Sequence, residues 1–376
     1  MAPDLMSREE GPMAGRTGFH RLMAQEENVS DLLQHLTDLD PTPWEELAPG
    51  TTHADRESGL GGRKRADLML RGADGEATGG AEVKLGHVFD ESQATAYEKA
   101  LDTGEPLLLL GLDVDAESAQ ATGERWRFVR LSALVAKWVE SDDPEVSAVA
   151  SAMLRVLTDR DSAISGTLAT NGDGTPLSSI RESFSARAIT RAIRSRLDAH
   201  DGLRTHADVT LGGGNATLMV FRQTPEEREG REFLAEIRWS IPRQVMDLRF
   251  GLDYPPGSRE ERQAVWDAAE RMNTVIAADK LIAHLGKTDP ERAGLVTANG
   301  TGRPRPKGNW LDIVAKGFVT GDGKNYNPGF FRDKDTRLEA TSRIDLSRAS
   351  GADLEPLLLA CLDYLAAHWV PADGAS

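Results

Sequence analysis

The spacing of apolar residues predicts where regular structure begins. Between Phe19 and Leu39 apolar side chains recur every three or four residues, which is the spacing of one buried helix face. Asp40 and Pro41 should end this helix, because proline cannot continue one. Residues 1–18 are rich in Gly, Pro and Met, and they predict a flexible tail.

Shorter apolar segments then alternate with one helical segment. Ala66–Leu70 and Ala81–Leu85 are separated by a Gly- and Asp-containing turn, which predicts a β-hairpin. A helix over about 91–101 and a buried strand at Leu107–Leu112 follow, and a helix between two strands suits a parallel crossover. A further strand leads into another helix. This order predicts an α/β domain over residues 19–141, a mixed sheet flanked by helices.

After residue 141 the pattern changes and predicts a second domain of the α+β class. Residues 142–178 read as a helix to about Leu157 and then a polar, Gly-containing linker. Residues 179–376 begin with a helix, continue through several strands and a long helix at Arg259–Leu285, and close with a helix at Leu354–Trp369. The pattern leaves the role of this domain open among recognition, sensing and oligomerisation.

Composition narrows the class of protein. Hydrophobic residues make up 39% and charged residues 28% of the chain, which is typical of globular proteins. No apolar run approaches the roughly 18 residues that a membrane span needs, and the first thirty residues contain no apolar signal segment. We therefore expect a cytoplasmic protein. Cys361 is the single cysteine, so no disulfide can form within the chain, and its leucine neighbours predict that it is buried.

The formal net charge of −16 counts against nucleic-acid binding, because contacts from Lys and Arg to phosphates drive such binding. A local basic groove can nevertheless coexist with acidic faces elsewhere. A basic stripe on a helix is also often only a solvated face. Candidates for nucleic-acid contacts form two basic clusters, one before a strand of the first domain and one on a helix of the second: Arg63, Lys64, Arg65, Arg187, Arg191 and Arg194.

The predicted hairpin carries charged residues that apolar strands seldom contain. Glu82 and Lys84 alternate with Val83, so their side chains share one face of the strand. Asp67 lies in the apolar segment of the neighbouring strand, where a carboxylate costs free energy unless it is paired or bound to a metal. Pairing of the strands could let Asp67 and Glu82 share one Mg²⁺ (or Mn²⁺), with the backbone carbonyl of Val83 as a further ligand. Lys84 would then hold or polarise the attacking water.

These residues resemble the core motif of the PD-(D/E)XK nuclease superfamily, whose members have a restriction-endonuclease-like fold. Asp67 followed by Glu82-Val83-Lys84 is similar to the D…(D/E)xK pattern, although Ala66 stands where the family has proline. Gln93 and Tyr97, one turn apart on the next helix, are similar to the Q-x-x-x-Y motif of the helicase-linked exonuclease branch.

A further match lies on the first helix. Glu27-Asn28-Val29-Ser30 resembles the family's E-N-x-x-(S/T) start, whose acid often reaches the metal; Glu26 is the adjacent alternative. The resemblance covers about residues 19–140. It implies a restriction-endonuclease-like mixed sheet and a catalytic set built around one metal.

The resemblance also implies a function: hydrolysis of DNA phosphodiester bonds by a Mg-dependent endo- or exonuclease, in a setting such as bacterial restriction or phage defence. Asp67, Glu82, Glu27 and the Val83 carbonyl would be the metal ligands. Asp67 and Glu82 would share the catalytic role with Lys84, Gln93 and Tyr97. DNA is the expected partner, with a homodimer or a partner protein bound through the second domain as further options and no membrane involved.

Simpler interpretations of the same residues stay open. Asp67 could pair with Arg65 or Arg71 at a strand edge, and Glu82 and Lys84 could form a solvated strand face. The motif residues of the two helices could be ordinary surface and core positions. The alternative function is a binding or assembly module built on a nuclease-like fold with weak or no catalysis, which the acidic net charge favours.

Overall fold

The computed structural model forms two compact units, the first ending at Arg160 and the second beginning at Asp161. The boundary lies inside the helix Pro144–Leu168, which continues through part of the segment predicted as a linker. The structure describes residues 18–61, 64–85, 91–101, 104–116, 125–170, 174–210, 214–226, 228, 230–254, 258–298, 314, 331–332 and 335–371.

The first unit contains helices and a mixed sheet. Its helices are α1 (Gly18–Leu22), α2 (Glu26–Leu39), α3 (Glu91–Ala100), α4 (Leu131–Val139) and α5 (Pro144–Leu168), the last of which crosses the boundary. Its strands are β1 (His53–Asp55), β2 (Ser58–Gly59), β3 (Arg65–Ala66), β4 (Leu68–Arg71), β5 (Ala77–Lys84), β6 (Leu107–Gly111) and β7 (Trp126–Arg130). The described chain also contains four short 3₁₀ helices, Thr42–Trp44, Asp113–Asp115, Leu177–Ser179 and Gly351–Asp353.

The five-stranded sheet of the first unit has the order β1-β4-β5-β6-β7. β1, β4 and β5 are antiparallel neighbours, whereas β5, β6 and β7 run parallel. β2 and β3 form a separate two-stranded ribbon. The predicted mixed sheet and the parallel crossover from β5 through α3 to β6 are therefore confirmed. All five residues of β6 are buried, as expected for an interior parallel strand covered on both faces.

Two local features of this unit differ from the sequence prediction. The single helix predicted over Phe19–Leu39 is two helices, because Gln25 has an extended backbone and begins α2 as its N-cap. Asp67 lies in the one-residue break between β3 and β4 and not inside a strand. Asp67 therefore has no place in the ladder between β4 and β5, in which Leu68 is the first residue paired.

The second unit is α+β, as predicted, and its main sheet is antiparallel. Its helices are α6 (Ser183–Leu197), α7 (Arg259–Met272), α8 (Ala278–Thr288), α9 (Pro290–Ala293) and α10 (Leu354–Ala367). Its strands are β8 (Leu203–Val209), β9 (Ala216–Gln223), β10 (Glu232–Ser240), β11 (Val245–Tyr254), β12 (Val296–Thr297), β13 (Phe331–Arg332) and β14 (Asp335–Ile344). The sheet order is β12-β14-β11-β10-β9-β8, with β13 paired to β14.

Both faces of β10 are covered over much of its length, since Phe233–Ile237 are all buried. Phe233, Ile237 and Trp239 are buried on one face, where α10 packs on β10 and α6 packs on β8 and β9. The long helix predicted over Arg259–Leu285 is two helices, α7 and α8, and a strand predicted at Trp310–Phe318 lies outside the described residues, Val314 excepted. Cys361 is fully buried in α10, as predicted.

Among the helices that the structure describes, none is both long and apolar enough to cross a membrane.

Gly80 allows α3 to approach β5 closely. A Cβ atom at this position would lie 2.7 Å from Leu101 Cδ1 and 3.0 Å from Tyr97 Cδ1, closer than normal contact allows. We expect Gly80→Val to lower the free energy of unfolding of the first unit by about 1–3 kcal/mol through overpacking. Urea unfolding followed by circular dichroism would measure this. Gly59→Ala is the control, since nothing lies within 4 Å of a Cβ there; equal effects of the two substitutions would contradict the proposed packing.

Candidate active site

The candidate site lies at the end of β5, on a strand flanked by β4 and β6. Glu82 and Lys84 project from the same face, and Lys84 Nζ donates to Glu82 Oε1 at 2.5 Å. The side chain of Glu82 is only 2% exposed and that of Lys84 only 9%. A buried ion pair of this kind is costly unless further hydrogen bonds satisfy its remaining polar atoms.

Helix α3 supplies those further hydrogen bonds to Glu82. Gln93 Nε2 donates to Glu82 Oε1 at 3.1 Å, and Tyr97 Oη donates to Glu82 Oε2 at 2.7 Å. The two residues are four positions apart and therefore share one face of the helix. Burial, and then the charges of Glu82 and Asp67, raise the pKa of Tyr97 well above its usual value, so the phenol keeps its proton and can donate it.

Asp67 is fixed beside this pair by two hydrogen bonds. Its Oδ2 accepts from the backbone amide of Val83 at 2.9 Å, and its own amide donates to Tyr97 Oη at 2.9 Å. Burial, and then the negative charge of Glu82, raise the pKa of Asp67 far above that of an ordinary aspartate. Glu82 has this effect because the two carboxylates are close enough to repel each other. A cation shared between them would relieve that repulsion.

Glu26, in the first turn of α2, supplies a third carboxylate. Glu26 Oε1 accepts from the amide of Leu85 at 2.9 Å, and Glu26 Oε2 lies 4.0 Å from Lys84 Nζ. Glu27, to which the resemblance assigns the metal contact, is exposed, whereas Glu26, the adjacent alternative, is the residue whose carboxylate reaches Leu85 and Lys84. Helical spacing explains the difference: Glu26 precedes the buried residues Val29 and Leu33 by three and seven positions and lies on their face.

Lys84 is therefore surrounded by negative charge. Burial by itself would lower the pKa of its ammonium group, but the carboxylates of Glu82 and Glu26 outweigh burial and raise it. One ammonium faces three acidic side chains, those of Glu26, Asp67 and Glu82. When all three are ionised, the site has an excess of negative charge that can accept a divalent cation.

The donor set fits a hard cation such as Mg²⁺. In the described part of the chain no group of three or more His, Cys, Asp or Glu side chains is arranged to hold a metal. Mg²⁺ does not require such a group, because it is commonly held by one or two carboxylates together with waters and substrate phosphate. Glu82 provides a buried carboxylate and Asp67 a part-buried one, a cation would relieve their mutual repulsion, and the Val83 carbonyl remains a predicted further ligand.

The residues predicted to contact nucleic acid differ in their exposure. Lys64 and Arg65 are exposed, and Arg65 pairs with Glu57; Arg63 lies outside the described residues. On α6 the expected exposed arginine stripe is absent from the described helix: Arg191 is only 9% exposed, Arg187 is half-buried, and Arg194 lies 3.4 Å from Asp198. The reason is that α6 is buried around most of its circumference, and sequence periodicity does not reveal a second covered face.

The raised pKa of Asp67 predicts a stability change that depends on pH. The folded-state pKa lies above the unfolded value of about 4, so the stabilising contribution of the protonated form is lost as pH rises from there through neutrality. We expect Asp67→Asn, measured with EDTA, to stabilise the first unit by about 1–3 kcal/mol near pH 8 and to change little near pH 4. Urea unfolding at both pH values would measure this.

Asp74→Asn is the matched control for that experiment. The Asp74 carboxylate also accepts a backbone hydrogen bond, from Glu76 at 3.0 Å, but the residue is exposed. Its substitution should leave the pH profile of stability unchanged. If Asp67→Asn shows the same stability difference from wild type at both pH values, Asp67 is not in the repulsive environment that the structure indicates.

No family model, no curated protein and no solved structure matches this chain. Inferences about its chemistry therefore depend on the side chains gathered around Glu82 and on their hydrogen bonds.

Proposed function

We propose that the first unit is a metal-dependent nuclease that hydrolyses DNA phosphodiester bonds and that its sheet belongs to the restriction-endonuclease-like fold. One observation carries the proposal: Asp67, Glu82 and Lys84 converge at the end of a central strand and are held there by side chains of α2 and α3. A solvated strand face would not be enclosed in this way: the hydrogen bonds of Glu82 with Lys84 and Tyr97 are buried, and those of Asp67 and Glu26 are part-buried. The parallel β5–α3–β6 crossover supports the fold part of the proposal.

Each residue has a chemical role in this proposal. Bound Mg²⁺ (or Mn²⁺) would supply Lewis acidity toward the phosphate and lower the pKa of a coordinated water. Asp67 and Glu82 would be its carboxylate ligands. The ammonium of Lys84 would orient the attacking water and offset charge that develops on the phosphate. Gln93 and Tyr97 would keep the Glu82 carboxylate in one orientation, since they hold both of its oxygens.

The distribution of charge bears on how DNA would bind. Residues 1–160 contain about twice as many acidic as basic side chains, whereas the two kinds nearly balance in residues 161–376. Phosphate contacts require local positive charge, and the second unit has the larger share of it. We propose that the second unit contributes to recognition of DNA or of a partner, in a role such as restriction or phage defence.

The acidic excess of the first unit also favours a second candidate function, a binding or assembly module that has a nuclease-like fold and little catalysis. A protein partner would not require the basic groove that DNA does. The two candidates differ in one measurable property, cleavage that depends on both a metal and Glu82.

A cleavage assay tests the proposal. Plasmid, linear and single-stranded DNA would be incubated with Mg²⁺ or Mn²⁺ and with wild type, Glu82→Gln or Lys84→Met. We expect each substitution to reduce the cleavage rate by about 10²-fold or more, because each removes charge that acts on the transition state. EDTA should abolish cleavage by the wild type.

Glu46→Gln is the control, because Glu46 is an exposed acid of the same unit that pairs with Lys137 at the surface. It should cleave at the wild-type rate. Absence of cleavage with either metal, or cleavage that survives Glu82→Gln in a folded protein, would reject the nuclease proposal and leave the binding module.

A further inference from the structure

We propose that Lys84 acts as an internal counter-cation that keeps the metal site closed until a substrate phosphate draws it away, so that metal and nucleic acid bind cooperatively. This inference concerns the regulation of the same site and rests on the proposed function. It comes from the contacts of Glu82, whose acceptor capacity is largely occupied before any metal arrives.

The hydrogen bonds to Glu82 show this occupation. Each carboxylate oxygen has about two lone-pair sites. Glu82 Oε1 accepts from both Lys84 Nζ at 2.5 Å and Gln93 Nε2 at 3.1 Å, so neither site is left for a metal. Glu82 Oε2 accepts from Tyr97, and Asp67 Oδ2 accepts from the Val83 amide. A cation that binds through Oε1 must therefore displace Lys84 or Gln93.

Charge makes Lys84 the group that must yield. Gln93 is neutral, so it can keep its hydrogen bond to Glu82 Oε1 while a metal binds the same oxygen, at little electrostatic cost. An ammonium at 2.5 Å from the same oxygen repels an incoming cation, and burial of both side chains weakens the screening by water. Without a metal, the negative charge of the site is partly neutralised by Lys84. The affinity of the site for a metal is correspondingly reduced.

The structure also offers Lys84 a second partner. Glu26 Oε2 is 4.0 Å from Lys84 Nζ, on the side of the site that α2 supplies. A phosphate oxygen of the substrate would be a further strong acceptor, since charge-assisted hydrogen bonds between ammonium and phosphate are short and favourable. Lys84 can thus leave Glu82 without becoming an unpaired buried charge. Because coupling between two ligands is reciprocal, phosphate would raise the metal affinity and metal would raise the phosphate affinity.

The first test measures Mn²⁺ binding to the full chain without DNA by isothermal titration calorimetry. We expect Lys84→Met to bind Mn²⁺ about tenfold more tightly than wild type, because it removes the competing cation. The same substitution should abolish cleavage, so affinity and activity change in opposite directions. Lys137→Met is the matched control: Lys137 also pairs with a glutamate at 2.6 Å, but at the surface, and its loss should leave Mn²⁺ affinity unchanged.

The second test uses the wild type and does not depend on how a variant folds. Ca²⁺ affinity would be measured with and without a short DNA duplex, whose integrity is checked after the titration. We expect the duplex to raise Ca²⁺ affinity by about fivefold or more in the wild type. In Lys84→Gln, whose folding is checked by thermal melting, the duplex should have a much smaller effect.

The outcomes separate this inference from the proposed function. Equal or weaker Mn²⁺ binding by Lys84→Met, or Ca²⁺ affinity that does not respond to DNA, overturns the role of Lys84 while metal-dependent cleavage by the wild type stands. If Glu82→Gln binds metal as the wild type does and no cleavage occurs, the metal site itself is rejected and both proposals fail.

Discussion

A carboxylate as enclosed as that of Glu82 must have its oxygens satisfied by protein groups in the metal-free site, because its side chain is almost entirely shielded from solvent. Lys84 meets this requirement from the same strand, and Gln93 and Tyr97 meet it from α3. Tyr97 then extends the network to the amide of Asp67. The approach of α3 to β5, made possible by Gly80, is therefore the packing condition for the site.

This arrangement lowers the stability of the first unit in the absence of a cation. Asp67 is placed where burial and a neighbouring carboxylate both disfavour its charged form. A core selected for stability alone would have an apolar residue there, since replacement of buried charges by apolar groups is often stabilising. Binding of the proposed cation would recover this unfavourable free energy, so the local instability and the proposed chemistry would be two aspects of one electrostatic arrangement.

The two units differ in what their charged residues do. In the first, the charged side chains of Glu26, Asp67, Glu82 and Lys84 gather at one place. In the second, Glu236 pairs with Arg238 of its own strand, and pairs such as Arg249 with Glu339 and Arg337 with Asp253 join neighbouring strands of the sheet. Such cross-strand pairs stabilise a sheet and set its register. They explain how the second unit can have many arginines without presenting all of them to a phosphate backbone.

Local sequence determined the elements that depend on short-range periodicity. Alternation along β5 placed Glu82 and Lys84 on one face, and a spacing of four put Gln93 and Tyr97 on one face of α3. Only the tertiary structure decided that Glu26 and not Glu27 reaches Lys84, and that Arg191 is buried. The reason is physical: periodicity reports which residues share a face, whereas the packing of other elements against that face decides which of them meet.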